Sequence, residues 1–413
     1  MTPTILFYII ISIILINFLV DKIIDSLNAK HFDDILPIEV SDVYNNEEYL
    51  ESQKYKKLNF KFSNITSTFS IVLTILFFVF DGFRIVDDFA RSLTDNPILI
   101  ALIFFGVIMI ASDILTTPFS YYKTFVIEEK FGFNKTTKKL FWLDKIKGWI
   151  MSVVLGGVIL SLIIWFYQVS DTNFWIYAWL LVAIFTIFMN MFYSTLIVPL
   201  FNKQIPLENG ELRTEIEKFA IKVGFKLDKI FVIDGSKRST KANAYFAGFG
   251  KTKRIVLYDT LINDLTTDEI VAVLAHEVGH YKRKHIVFNL ITSILLTGLT
   301  LFILSLFINN NLLSQALGVT KPSFHIGLIA FGILYSPLSE ITSLLMNFIS
   351  RKFEYQADDY AKENFGAEPL ISSLKKLSKN SLTNLTPHKS YVFMHYSHPT
   401  LQNRIMNLNQ KMK

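Results

Sequence analysis

Cysteine is absent from this 413-residue chain, and that one absence removes disulfides, thiolate metal sites and thiol nucleophiles together. It leaves the redox compartment unread. Charge is scarce as well: Asp, Glu, Lys and Arg make up 18% of the residues, against roughly a quarter in an average soluble protein. With 51% hydrophobic and 15% aromatic residues, disorder, collagen-like structure and a small disulfide scaffold are excluded. No internal repeat or low-complexity tract stands out, which weakens an inverted-repeat transporter. No segment joins dense Lys/Arg to a nucleic-acid-reading module, so the net charge of +6 implies no nucleic-acid partner.

What the chain has in excess is long apolar sequence. Seven runs stand out: Thr4 to Val20, Thr66 to Val86, Ile98 to Leu115, Trp149 to Val169, Phe174 to Phe201, Ile286 to Ile308 and Phe324 to Ile349. A bilayer core takes about 20 apolar residues in a helix, so the pattern predicts a polytopic membrane protein with the lipid bilayer as partner. The first run reads as a retained anchor, because no Lys or Arg precedes it, no small-residue cleavage site follows, and Asp21 and Lys22 come directly after. With Arg84 assigned to the loop it borders, 38 of the 41 Lys and Arg fall in alternate inter-run segments and only 3 in the others. That asymmetry predicts an N-terminus outside or luminal, with the large loops and the C-terminal tail cytosolic.

Two domains are expected. Residues 1–201 form an N-terminal membrane domain of five transmembrane helices with cytosolic loops, including a helical hairpin or loop from Asp21 to Ile65. Residues 202–413 combine a soluble α/β segment (202–284), helices six and seven, and a C-terminal helical segment (350–413) broken near Pro387. In the soluble segment the patterning predicts a helix near Glu211 to Val223 and short strands near Lys229 to Ile233, Ala242 to Ala247 and Arg254 to Tyr258. The strand at Ala242 to Ala247 precedes a Gly248-Phe249-Gly250 turn. A second helix opens after Leu265, with Thr266 and Glu269 at capping-box spacing.

That second helix carries His276-Glu277-Val278-Gly279-His280. Helical positions four apart differ by only ~40° and one turn, so both imidazoles can converge on one metal ion. Glu277 lies beside them as a general base, in the spacing characteristic of zinc peptidases. A catalytic zinc needs three protein ligands and an open position, and no cysteine exists to supply the third. Glu354, just past the last apolar run, is the candidate. Asp358, one turn further, could accept a hydrogen bond from a ligand imidazole and fix its tautomer.

These motifs resemble the M48 family of integral-membrane zinc metallopeptidases, in its CAAX prenyl protease 1 branch. The resemblance rests on His276 to His280, Phe353 to Asp358, Asn243-Ala244-Tyr245-Phe246 and His395-Tyr396-Ser397-His398-Pro399, and on Thr124 to Asn134 in the N-terminal half. It implies a mainly α fold: seven transmembrane helices enclosing a water-filled chamber, with a small α/β zincin-like unit at the cytosolic end. One Zn2+ per chain would be held by His276, His280 and Glu354, with Glu277 as base and Asp358 behind an imidazole. His398 resembles the oxyanion-stabilising histidine and Arg404 the arginine supporting it. Asn243, Ala244, Tyr245 and Phe246 resemble the edge strand that pairs with an extended polypeptide. Asn190, Pro337 and Glu340, within apolar runs, are expected to face the interior.

By this resemblance the enzyme removes the last three residues from prenylated CAAX proteins, in the endoplasmic reticulum of a eukaryote. In a bacterial cell membrane it would instead clear faulty membrane polypeptides without a prenyl requirement. Two further readings stay open: an intramembrane site-2-type protease, and a non-catalytic scaffold or transporter with a structural zinc.

Overall fold

The computed structural model describes residues 1–170, 173–225, 227, 229–248 and 253–410, so Phe249 and Gly250 of the expected turn lie outside the described residues. Among the described residues, seven helices are long and apolar enough to cross a membrane: Pro3–Ala29, Asn46–Val79, Pro97–Glu128, Lys138–Ser170, Phe174–Phe201, His285–Phe307 and Phe324–Asn364. They match the seven apolar runs in order. Several outgrow their runs at a polar end, because hydropathy marks the part in lipid while the helix itself continues until a cap or break. The second span starts at a capping box, where Asn45 accepts from the Glu48 amide and Glu48 from that of Asn45.

One boundary differs from the sequence reading. The second run was expected to reach Val86, but its helix ends at Val79 and a separate helix, Gly82–Leu93, follows. Asp81 takes φ of 55°, and Gly82 lies against Phe77 so closely that a Cβ would sit 2.4 Å from that ring. Backbone handedness makes this break, and hydropathy does not register it.

Between 6% and 17% of each span's most apolar window is buried. The core-facing stripe of a solid bundle occupies at least about 100° of each helix, over a quarter of its surface. Most of the apolar surface of the spans is therefore not covered by the rest of the chain.

Between the fifth and sixth spans lies a four-stranded sheet of β1 (Gln204–Pro206), β2 (Ile230–Ile233), β3 (Ala244–Ala247) and β4 (Arg254–Tyr258). The spatial order is β1-β2-β4-β3, with β2 parallel to β4 and the other pairs antiparallel. β3 thus ends the sheet with one edge unpaired. β1, three residues ending in Pro206, was too short to read from sequence.

Helix Glu211–Lys222 and the motif-bearing helix Thr267–Lys282 pack on this sheet. Their shared core includes Ile216, Phe219, Leu257, Val271 and Leu274, together with Ala361 of the seventh span and Leu408 of the tail helix Leu401–Asn409. Seventh span, sheet and tail are therefore held by one apolar core. The loop after the third span ties in the N-terminal half: Asn134 bridges Ser239, and the Thr240 amide donates to the Phe133 carbonyl. This contact anchors the residues leading into β3.

Candidate metal centre

The motif helix is fixed at its start by the predicted capping box. Glu269 accepts from the Thr266 amide at 2.8 Å, and Thr266 Oγ1 accepts from that of Glu269 at 3.4 Å. Ile270, Val271, Ala272, Leu274 and Ala275 are buried, so the first half of the helix is packed and the second half is held rigidly. Gly279 then sets the approach to the seventh span. A Cβ there would lie 3.1 Å from Ala357 Cα and its carbonyl oxygen, so the absence of a side chain lets the two helices meet.

That approach brings Glu354 to the two imidazoles. Its Oε2 lies 3.4 Å from His276 Nε2 and its Oε1 3.2 Å from His280 Nε2, while the two Nε2 atoms are 3.2 Å apart. Ligand atoms of all three residues fall within 4.8 Å of one another. Glu354 Oε2 is buried without a hydrogen-bond partner. Two imidazole nitrogens and a carboxylate converging on one point, with a buried oxygen left unsatisfied, fit a divalent cation.

Each imidazole is backed at its other nitrogen. His276 Nδ1 lies 2.8 Å from Asp358 Oδ1. Asp358 is held by Arg404, whose Nε and Nη2 donate to its two oxygens at 2.9 and 2.6 Å. An arginine-paired carboxylate can only accept, so His276 donates from Nδ1 and presents the Nε2 lone pair. Burial opposes charging of His276, but the hydrogen bond to Asp358 and the nearby Glu354 carboxylate outweigh it and raise the imidazole to about 9.

His280 has a partner that the sequence reading missed. Its Nδ1 is 3.0 Å from His285 Nδ1, and His285 Nε2 is 2.8 Å from Gln356 Oε1. Gln356 Oε1 accepts only, so His285 carries its proton on Nε2, and His280 donates from Nδ1. The His285 ring stacks on Phe353 at 4.0 Å and 8°. Lys284 adopts φ of 61° between the two helices, so no helical periodicity relates His280 to His285. The only sequence signal was a further histidine near the motif.

Glu277, His398, Arg404, Asn243 and Ala244 line one cavity of about 300 Å³ together with His276, His280 and Glu354. His398 Nε2 stands 3.4 Å from Glu354 Oε1, with its side chain 62% exposed at the cavity mouth. Tyr245 and Phe246 do not line this cavity. They face a neighbouring one of about 660 Å³ that also takes in Asn190, Tyr193, Val198, Phe201 and Ile286, and Asn243 borders both. Asn190, Pro337 and Glu340 are all exposed; Asn190 lines this larger cavity, and Pro337 and Glu340 do not.

The chain is similar to known proteins over nearly its whole length. Residues 25–203 match the family model for the CAAX prenyl protease N-terminal region with five membrane helices, and residues 206–412 match peptidase family M48. The chain therefore belongs to the M48 family and is an integral-membrane metallopeptidase. Within that family it is of the CAAX prenyl protease 1 type. It is 38% identical over 405 residues to the CAAX prenyl protease 1 homolog of Dictyostelium discoideum, covering 96% of this chain and 93% of that one. It is 37% identical over 400 residues to CAAX prenyl protease 1 of Saccharomyces cerevisiae, covering 91% and 88%. The crystal structure of S. mikatae Ste24p superposes with a TM-score of 0.94 at 36% identity, covering 98% of this chain and 99% of that one. The scaffold and transporter readings give way to an enzyme. A site-2-type arrangement gives way too, because the motif helix Thr267–Lys282 is not among the spans and ends before the sixth begins.

Proposed function

We propose that the chain binds one zinc ion through His276, His280 and Glu354 and removes the C-terminal three residues of prenylated CAAX polypeptides. The observation that carries the reading is the Glu354 carboxylate set between two imidazoles with a buried oxygen unsatisfied. A zinc ion held there supplies Lewis acidity: it brings the pKa of water toward ~7 and polarises a carbonyl. The remaining work falls to this chain's own groups. Glu277 takes the proton from the attacking water and delivers it to the leaving amine. His398 donates from Nε2 to the oxygen of the scissile carbonyl as charge develops. Asp358 and Arg404 keep His276 in the tautomer that leaves its Nε2 free.

The free edge of β3 offers Asn243, Ala244, Tyr245 and Phe246 for backbone pairing with an extended substrate. The larger cavity beside Tyr245 and Phe246 takes the lipid. We further propose the division into residues 1–201 and 202–413, a luminal N-terminus with the catalytic segments cytosolic, and residence in the endoplasmic reticulum. The Lys and Arg asymmetry supports that orientation, and the eukaryotic relatives support that compartment.

Zinc quantification on the purified protein, with cleavage of farnesylated and unfarnesylated forms of one CAAX peptide, tests the reading. One zinc per chain and preferential cleavage of the farnesylated peptide are expected. Equal cleavage of both removes the lipid requirement and favours a membrane quality-control protease.

A further inference from the structure

The seventh span carries a polar stripe, half of which the metal centre uses. Asn347, Arg351, Glu354 and Asp358 are spaced four, three and four apart, so they fall within about 60° of one another around the helix. Glu354 and Asp358 belong to the metal centre. Arg351 and Asn347 lie one and two turns earlier on the same face, and both reach the tail segment that leads to His398.

Arg351 Nη1 donates to the Tyr396 carbonyl at 2.6 Å and, at 3.4 Å, to that of Val392. Asn347 Nδ2 donates to the Met394 carbonyl at 3.0 Å. The Met394 and Tyr396 carbonyls stand at and just past the end of the tail helix Lys389–His395, where backbone acceptors lack partners within the helix. Every hydrogen bond that Arg351 makes among the described residues ends on this backbone. Its guanidinium therefore holds a chain course rather than a counter-charge.

His398 follows two residues after Tyr396. Its side chain is largely exposed, so packing does little to place the ring. The Ser397 hydroxyl lies 2.9 Å from Nδ1, and Nε2 is left facing Glu354. Beyond it, Thr400 caps the helix Leu401–Asn409, and Arg404 of that helix is bound to Asp358 by two hydrogen bonds. His398 thus sits on a short connector tied at both ends to one face of the seventh span. Arg351 makes the tie before it and Asp358 the tie after it, with Glu354 between the two.

We propose that Arg351, with Asn347 beside it, is a positioning residue for His398: it sets where the imidazole stands relative to the metal centre. This rests on the reading that His398 donates to the oxygen of the scissile carbonyl. Such a donor helps only if it is in place before charge develops, and a displacement of about 1 Å can cost 10²-fold. Arg351 then acts on the transition state, whereas substrate binding falls to β3.

The test uses the full-length, metal-loaded protein and one farnesylated CAAX peptide, in a double-variant cycle with His398→Ala. His398→Ala should lower kcat roughly 10²-fold. Arg351→Met should lower kcat roughly 10- to 100-fold with KM within about twofold of wild type, and Arg351→Lys should recover most of the loss. In the His398→Ala background, Arg351→Met should change kcat less than about twofold, because the group it positions is gone. Affinity for a phosphinic analogue of the peptide, whose tetrahedral oxygens stand where the oxyanion forms, should fall in Arg351→Met along with kcat. Bound zinc and Tm on the same preparations read folding separately. If Arg351→Met loses either, Asn347→Ala, which removes a neutral donor, carries the same cycle at smaller amplitude. Losses that multiply in the two backgrounds, a wild-type kcat in the folded variant, or an unchanged affinity for the analogue overturns the proposal and leaves the peptidase reading intact. A wild-type kcat in His398→Ala removes that histidine from the chemistry and this inference with it. Failure of the wild-type protein to cut the peptide overturns the peptidase reading itself.

Discussion

His280 and His285 face each other through their Nδ1 atoms at 3.0 Å, across a backbone break at Lys284. The pair fixes which nitrogen of His280 is free for the metal. Replacing His285 with Phe retains an aromatic ring over Phe353 but removes the acceptor. Metal affinity should fall about 10- to 100-fold, as is usual when an imidazole loses its outer hydrogen bond. Competition titration against a chelating dye measures it, and an unchanged affinity would show that His280 needs no such partner.

If Glu354 is a ligand, its otherwise unsatisfied buried oxygen means that a bound metal would stabilise the fold as well as serve the chemistry. Metal in 1,000-fold excess over its Kd should stabilise the fold by about 4 kcal/mol. Thermal unfolding with added zinc or with a chelator reads this directly. Glu354→Ala should abolish the metal-dependent rise in Tm, and an equal rise in that variant would remove Glu354 from the ligand set.

Glu277 lines the cavity but lies outside the cluster of ligand atoms. Glu277→Gln should therefore retain bound metal while peptide cleavage drops by at least ~10² to 10⁴-fold. Metal content and turnover measured on one preparation separate the two effects. Wild-type turnover in this variant would dismiss Glu277 as the base.

Arg404 is buried against Asp358 by two hydrogen bonds. Asp358→Asn leaves that guanidinium only the Glu354 carboxylate, 3.8 Å from Nη1, and should cost up to about 3 to 5 kcal/mol of stability. Arg404→Met in the same background should restore part of the loss, since the stranded charge goes with it. Denaturant unfolding of the single and double variants closes the cycle, and additive losses would mean the two side chains act independently.

Glu269 gives a pH signature remote from the metal. Burial pushes its carboxyl upward, but Lys376, Ser372 and the Thr266 amide overcome that and hold it below the usual value of 4.5. A depressed folded value means the stabilisation is complete above the unfolded value and is lost as pH falls through the folded one. Glu269→Gln should thus cost about 1 to 3 kcal/mol near neutral pH. The gap to wild type should narrow only as pH drops below 4.5. Unfolding followed from pH 7 to 3 checks it, and a gap that narrows already above pH 5 would contradict this origin.

Elements with a one-dimensional signature were legible in the sequence. Apolar length marked seven spans, and the capping box and four-residue spacing placed the motif helix and its imidazoles. Asp358 followed from its one-turn spacing after Glu354, whereas His398 and Arg404 were found only through a family resemblance, because nothing local distinguishes them from surface residues. What escaped depends on three-dimensional approach. The break at Asp81 comes from backbone handedness, the His285 contact crosses from one helix to another, and β1 is too short to carry a pattern. Gly279 was quoted as a letter of the motif, yet its role is set by Ala357, far along the chain.

The proposed ligands come from two stretches of chain separated by the whole of the sixth span and most of the seventh. A ribosome that has released His276 and His280 has made two thirds of a site and no catalyst. On that assignment coordination is completed only once the final span has been threaded and folded back onto the sheet, and the cavity is closed only by the tail that carries His398 and Arg404, so proteolytic competence arrives late in biogenesis.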